Sequence, residues 1–253
     1  MKLMDFPLLV LFLSFLLLFL SARVGSQLRR WIPLLKEEER DDYAVVLGAT
    51  LTLLGLLIGF SFSMAVSRYD QRKNYEESEA NAIGTEYVRA DLLPEKDASR
   101  IRELLRKYTD QRVLFYTTRD QHRIAKINAD TAELQSELWS AVRPAAAAQP
   151  TAAVVALAVS GMNDVLNSQG YTQAAWWNRI PIAAWVLMAA IAIVCNLMIG
   201  YSTHQKNWRI FLILPIAVSI AFFLICDIDS PHAGPIRVEP QNLESLSQSL
   251  RAN

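Results

Sequence analysis

Four stretches almost free of Asp, Glu, Lys and Arg run through the chain, at about Phe6 to Ala22, Tyr43 to Ser67, Ile180 to Tyr201 and Ile210 to Cys226. A helix crosses the hydrocarbon core of a bilayer with about 20 apolar residues, within a range of about 17 to 25, so each stretch is long enough to span. A soluble core has no use for four such segments, whereas a bilayer admits helices because they satisfy their own backbone groups. The 253 residues carry 25 Lys and Arg against 25 Asp and Glu, and these charges gather between the apolar stretches. The pattern predicts an all-α integral membrane protein with four transmembrane helices and a helical extramembrane domain between the second and third.

The expected boundaries follow. Residues 1–67 hold the first transmembrane pair, with spans at about 6–22 and 43–67. Residues 68–179 form the helical soluble domain, residues 180–226 the second pair with spans at about 180–201 and 210–226, and residues 227–253 a C-terminal tail. Trp and Tyr favour the headgroup region, and Tyr43, Trp176, Trp177, Tyr201 and Trp208 stand at span ends. The short link from Ser202 to Asn207 predicts a tight antiparallel hairpin. The first span is expected to be a retained helix and not a cleaved leader, because Leu20 or Phe19 would occupy a position where signal cleavage needs a small residue.

An even number of spans places both termini and the middle segment on one side. Near the span ends that side carries Lys2, Arg68, Arg72, Lys73 and Arg179, while the other carries Arg23, Arg29, Arg30, Lys36, Arg40, Lys206 and Arg209. The tendency of basic residues to stay inside therefore leans slightly against a cytoplasmic middle segment, and charge alone leaves the orientation open.

Within the middle segment, a helix is expected from Glu76 to Asp91, stopped by Pro94. A second, from about Lys96 to Val142, carries Ile101, Leu104, Leu105, Tyr108 and Phe115, then Ile124, Ile127, Leu134 and Leu138, at helical spacing. Pro144 to Pro150 reads as a break. Thr151 to Ser168 reads as a further helix whose apolar run, Ala152 to Met162, is too short to span.

Catalytic chemistry has little footing. The three histidines, His122, His204 and His232, fall in separate segments without zinc-ligand spacing. No Gly-rich phosphate loop with its Lys is present. Cys195 and Cys226 would lie about 18 Å apart in depth, counting outward from the hairpin at 1.5 Å per residue, too far for a disulfide. No enzymatic activity, metal, cofactor or nucleic-acid partner is expected. The spans also lack the central charges that pumps and voltage sensors use. Their polar groups are Thr50, Thr52, Ser61, Ser63, Asn196 and Ser219, which suit a passive pore.

In the second span, Gly48, Thr52, Gly55, Gly59 and Ser63 recur at spacings of four, three, four and four and so share a helix face. Two readings stand: close packing of membrane helices through small residues, or a pore-facing stripe. The span runs without a turn residue into the charged stretch beginning at Arg68, which predicts one helix leaving the membrane unbroken.

The run from Leu57 through Gly59, Phe60, Val66, Ser67, Arg68 and Tyr69 resembles the bestrophin signature at the end of that family's second membrane helix, a Gly-Phe pair followed by Val-Thr-Arg-Trp. More of the chain resembles the bacterial group called bestrophin-like: Arg68 to Arg72, Glu79 to Arg89 followed by Asp91 to Pro94, and the tail from Asp227 and Asp229 through Pro231 to Gly234. The resemblance implies a pentameric passive ion channel in the cell membrane (the inner membrane in a Gram-negative cell). The second helix would line the pore, and the soluble domain and both termini would be cytoplasmic. Carried over from the Arg68 match, the pore constriction falls at Thr52, Leu56 and Phe60, with Ser63 below. Thr52 departs from the family's usual apolar residue. Asp227 and Asp229 lie where bestrophins carry an acidic calcium clasp, but two carboxylates are too few for calcium's six to eight oxygens, and pairing with Arg68 and Arg72 is the expected use. The partners implied are the lipid bilayer, further copies of the chain and inorganic ions. The rival expectation is a non-conducting membrane scaffold or sensor that binds partners through its helical domain.

Overall fold

The computed structural model describes residues 3–31, 37–148, 153–202, 210–232 and 234–252. Among these residues the regular structure is entirely helical: α1 (Pro7–Trp31), α2 (Glu37–Arg89), α3 (Glu95–Thr117), α4 (Gln121–Ala148), α5 (Ala153–Trp177), α6 (Ile182–Ser202), α7 (Ile210–Asp229) and α8 (Gln241–Ala252), with 3-10 turns at Leu3–Asp5 and Ala90–Leu92. Four of the helical stretches are long and apolar enough to cross a membrane, in the four regions where charge is absent from the sequence. The expected hairpin link and Trp208 lie largely outside the described residues. α2 is unbroken for 53 residues, roughly 80 Å at 1.5 Å per residue. The chain divides into two units, Met1–Arg68 with Arg179–Arg237, and Tyr69–Asn178 with Val238–Asn253.

The first unit has the alternating topology of a four-span bundle. At one end Arg179 pairs with Asp5 at 2.6 Å, and at the other Arg29 donates to the Ser202 carbonyl at 3.4 Å, so α1 and α6 run in the same direction. The Tyr43 hydroxyl donates to the Met198 carbonyl at 2.8 Å, setting α2 antiparallel to α6. Ser230, just past α7, donates to the Met4 carbonyl at 2.8 Å, setting α7 antiparallel to α1. Leu18, Ala22, Leu54, Ala65, Met188 and Cys195 fill the interior, while Leu8, Phe12, Leu16 and Leu20 face outward. An apolar exterior is what hydrocarbon surroundings require. Cys195 and Cys226 are both buried free thiols.

Two glycines set the α1–α6 contact. A Cβ on Gly25 would overlap the Leu197 carbonyl, and a Cβ on Gly200 would overlap the Ala22 carbonyl. Backbone meets backbone there, the close approach that small residues allow in membranes.

The second unit is organised around a buried ion pair. The stripe anticipated from helical spacing is its core: Ile101, Leu104, Leu105, Tyr108, Phe115, Ile124, Ile127 and Leu138 are buried with Ile83, Ala158, Met162 and Val165. The expected single helix from about Lys96 to Val142 is two, α3 and α4. Thr118 turns extended, at φ −77° and ψ 134°, and the Asp120 carboxylate accepts the His122 N–H at 2.9 Å, a side-chain cap that starts a new helix. Pro144, the start of the expected break, lies inside α4, which continues to Ala148; the rest of that break, Gln149 and Pro150, falls outside the described residues, and α5 extends past Ser168 to Trp177. Trp176 is not a headgroup marker: it packs in this core against Phe115 at 4.8 Å and Tyr116 at 5.4 Å between ring centres. Trp177 beside it is exposed.

In that core the Glu79 carboxylate accepts from Arg112 Nε at 2.5 Å and Nη2 at 3.3 Å, and from the Thr172 hydroxyl at 3.2 Å. Both charged side chains are fully buried. Burial pulls the Arg112 guanidinium toward neutrality, but Glu79 beside it more than offsets this and its pKa is raised. Arg112 also lies 4.5 Å from the centre of the Phe115 ring, a cation–π contact strengthened by desolvation. Glu76 serves the tail. Its carboxylate accepts the Leu243 N–H at 2.9 Å and Asn242 Nδ2 at 2.7 Å, meeting the positive N-terminal end of α8, and Leu243 and Leu250 are buried.

Candidate functional site

The part of α2 in the first unit has one buried face and one open one. Leu54, Ser61 and Ala65 are buried, seven and four residues apart, hence on one side of a helix with 3.6 residues per turn. Thr52, Leu56, Phe60 and Ser63 lie about half a turn round from that side, and all four are exposed. Leu56 is 54% exposed and Phe60 61%, large values for apolar side chains, which no described residue covers. Gly48, Gly55 and Gly59 flank this face, and a Cβ on any of them would meet nothing within 4 Å. The face as a whole is apolar or hydroxylated, uncharged from Tyr43 to Ser67, and left open by the described helices of this unit.

Thr52 is less polar toward its surroundings than its side chain suggests. Its hydroxyl donates to the Gly48 carbonyl at 2.9 Å, as Thr50 does to Val46 at 2.7 Å. This back-bonding to the preceding turn commits the proton within the helix and leaves a methyl group and oxygen lone pairs on the face.

The stripe ends at a polar cluster. Arg68 Nη1 stands 3.3 Å from Asp229 Oδ1, and Asp229 Oδ2 accepts the Ile180 N–H at 3.0 Å, so one carboxylate ties the end of the α2 span to the C-terminus of α7 and the approach to α6. Asp227 accepts the Ile236 N–H at 3.0 Å. The intervening turn places Gly234 at φ +88°, where a Cβ would overlap the Asp227 carboxylate. Both aspartates are buried and hold backbone. Among the described residues, no group of three or more His, Cys, Asp or Glu is arranged to hold a metal ion. Arg72, one turn further along α2, is also buried. Replacing Asp229 with Ala is expected to lower stability by about 1–3 kcal/mol, since it strands a buried N–H and a guanidinium together. Unfolding in detergent measures this, and Asp229→Asn, which can still accept from Ile180, should lose less.

Several residues that organise the molecule carry no motif: Gly25, Gly200 and Arg112. Arg112 had a signal, because it sits four residues after Tyr108 and three before Phe115 and so breaks the apolar stripe with a charge. The two glycines had none, being single small residues among many in apolar helices.

The family model called the Bestrophin-like domain matches residues 9–243. No curated relative matches the chain. Among solved structures, the chain is similar to a bacterial bestrophin homolog from Klebsiella pneumoniae. One crystal structure of that protein superposes with a TM-score of 0.69 at 13% identity, covering 97% of this chain and 97% of that one. A variant of the same homolog gives a TM-score of 0.69 at 13% identity, over 95% of this chain and 97% of the other. At such identity the likeness concerns the fold, and it extends over nearly the full length of both chains. With the family model covering the spans and the helical unit alike, this multi-pass membrane protein belongs to the bestrophin-like family.

Proposed function

We propose that the protein is a passive, oligomeric ion channel in which copies of α2 line the pore. The reading rests on one observation: the uncharged face of Thr52, Leu56, Phe60 and Ser63 is turned away from the chain's own interior. An apolar face of that kind needs hydrocarbon or another copy against it. Five copies arranged about an axis, as the resemblance to bestrophins implies, would bring Leu56 and Phe60 together as apolar rings that gate by dewetting. Gly48, Gly55 and Gly59 alongside would let neighbouring α2 helices approach closely. Lipid and small inorganic ions are then the partners, the cell membrane is the location, and the helical unit and both termini face the cytoplasm.

Reconstitution into planar bilayers tests this. A macroscopic current is expected, and Leu56→Ala or Phe60→Ala should change its size or rectification several-fold while leaving expression and oligomer size unaltered. Native mass determination of the detergent-solubilised protein should give five subunits. A well-folded oligomer that stays silent in bilayers, or a monomer or dimer without an axial path, overturns the channel reading in favour of a scaffold or sensor.

A further inference from the structure

One carboxylate in the second unit is buried without a hydrogen-bond donor among the described residues. Glu86 on α2 is fully inaccessible to solvent, and neither of its carboxylate oxygens accepts a hydrogen bond from a described residue. It lies directly against α5 at Gly161, where a Cβ would overlap Glu86 Oε2 and come within 2.6 Å of Arg89 Nη1. The absence of a side chain at position 161 is what makes room for the carboxyl group.

A buried carboxylate lacking donors is far less favourable than its neutral acid, because desolvation penalises only the charged form heavily. The charged groups that act on Glu86 are Arg89, one turn further along α2, and Asp164 from α5, three residues beyond Gly161. The first favours ionisation and the second opposes it. Glu79, two turns earlier on α2, is committed to Arg112. The contrast between these two glutamates on one helix is informative: Glu79 has donors on three sides and Glu86 has none.

We propose that Glu86 is a proton-binding site that latches α5 onto α2: with its proton the carboxyl group fits against Gly161, and on losing it the side chain must leave, loosening α5 from α2. This inference concerns the helical unit alone and stands whether or not the protein conducts.

The surroundings of the carboxyl group set the direction of its shift. Burial first, and Asp164 after it, raise the Glu86 pKa to about 8, with Arg89 acting the other way. A carboxyl group titrating there holds its proton in the closed arrangement at neutral pH and sheds it in mildly alkaline conditions. In an opened or unfolded arrangement it reverts to the ordinary range near 4.3. Stability from this site is therefore complete below the ordinary range, declines as pH rises, and reaches its floor once pH passes about 8.

The test compares unfolding midpoints of the full-length wild type and Glu86→Gln in detergent from pH 4 to pH 9. Gln imitates the protonated group and does not titrate. The two proteins should match near pH 4, and above that the wild type should fall behind by about 3–5 °C per pH unit before levelling off. Asp164→Asn should move the levelling point to lower pH and Arg89→Gln to higher pH. Protease cleavage within α5 should rise about tenfold per pH unit over the same interval in the wild type only. A gap between wild type and Glu86→Gln that is constant with pH overturns the proposal, as does cleavage of α5 that responds equally to pH in both. If Glu86→Gln fails to fold, the opposed shifts of Asp164→Asn and Arg89→Gln decide the matter, and their absence also overturns it.

Discussion

Replacing Glu79 with Ala is expected to destabilise the helical unit by about 3–5 kcal/mol, because it leaves the Arg112 guanidinium buried without its counter-charge. Arg112 has no accessible surface, so water cannot replace the lost partner. The same substitution also removes the acceptor for the Thr172 hydroxyl and so unties α5 from α2 and α3. Unfolding in detergent, followed by proteolysis of the helical unit, reads the loss. The pair itself is expected to be dispensable in a way that one partner is not: Glu79→Ala combined with Arg112→Met should recover much of the loss, since replacing both members of a buried pair with apolar groups is often near neutral. A loss below about 1 kcal/mol for Glu79→Ala alone, the range of exposed pairs, would show that the charge finds water after all.

The second large effect belongs to the membrane-spanning unit. Gly200→Leu is expected to separate α1 from α6, since even a Cβ at this position overlaps the Ala22 carbonyl. Backbone cannot yield as a flexible side chain can. The cost should exceed the roughly 1–3 kcal/mol typical of overpacked cores, and poor membrane insertion or rapid degradation is the expected outcome. Gly25→Leu, against the Leu197 carbonyl, should behave alike. Gly59→Leu serves as the contrast: no described residue lies within 4 Å of a Cβ there, so the isolated subunit should tolerate it. Any defect would then appear in assembly size or in current. Expression level and subunit mass distinguish the two classes.

How far each element was legible depends on how local its cause was. The spans could be read because the bilayer acts on every residue of a helix alike, and a long run without charge has one stable placement in it. The core of the helical unit could be read because burial repeats at helical spacing, as Ile101, Leu105, Tyr108 and Phe115 show. The break between α3 and α4 escaped because no Pro or Gly marks it: Thr117 to Arg123 is a polar run that an exposed helix could equally carry, and the event that splits the helix is a single cap to the His122 N–H. Pro144 misled in the other direction. A proline removes one backbone bond and bends a helix, and whether the helix resumes depends on what packs around it.

Composition and order of residues by themselves determined that this chain is an all-helical, four-span membrane protein with a polar helical segment between its second and third spans. They also carried the Gly59 to Arg68 pattern that points to the bestrophin-like family. Those properties follow from the solvent, which sorts apolar from charged segments without regard to partners. The tertiary structure decided which glycines are contacts and which are open, which face of α2 is left uncovered, and which of three glutamates on that helix caps a tail, neutralises an arginine or stands unpaired. Glu76, Glu79 and Glu86 are chemically identical and lie within three turns of one another on α2. Only the residues brought to them from distant parts of the chain, Leu243, Arg112 and Gly161, make one a cap, one an ion pair and one a proton site.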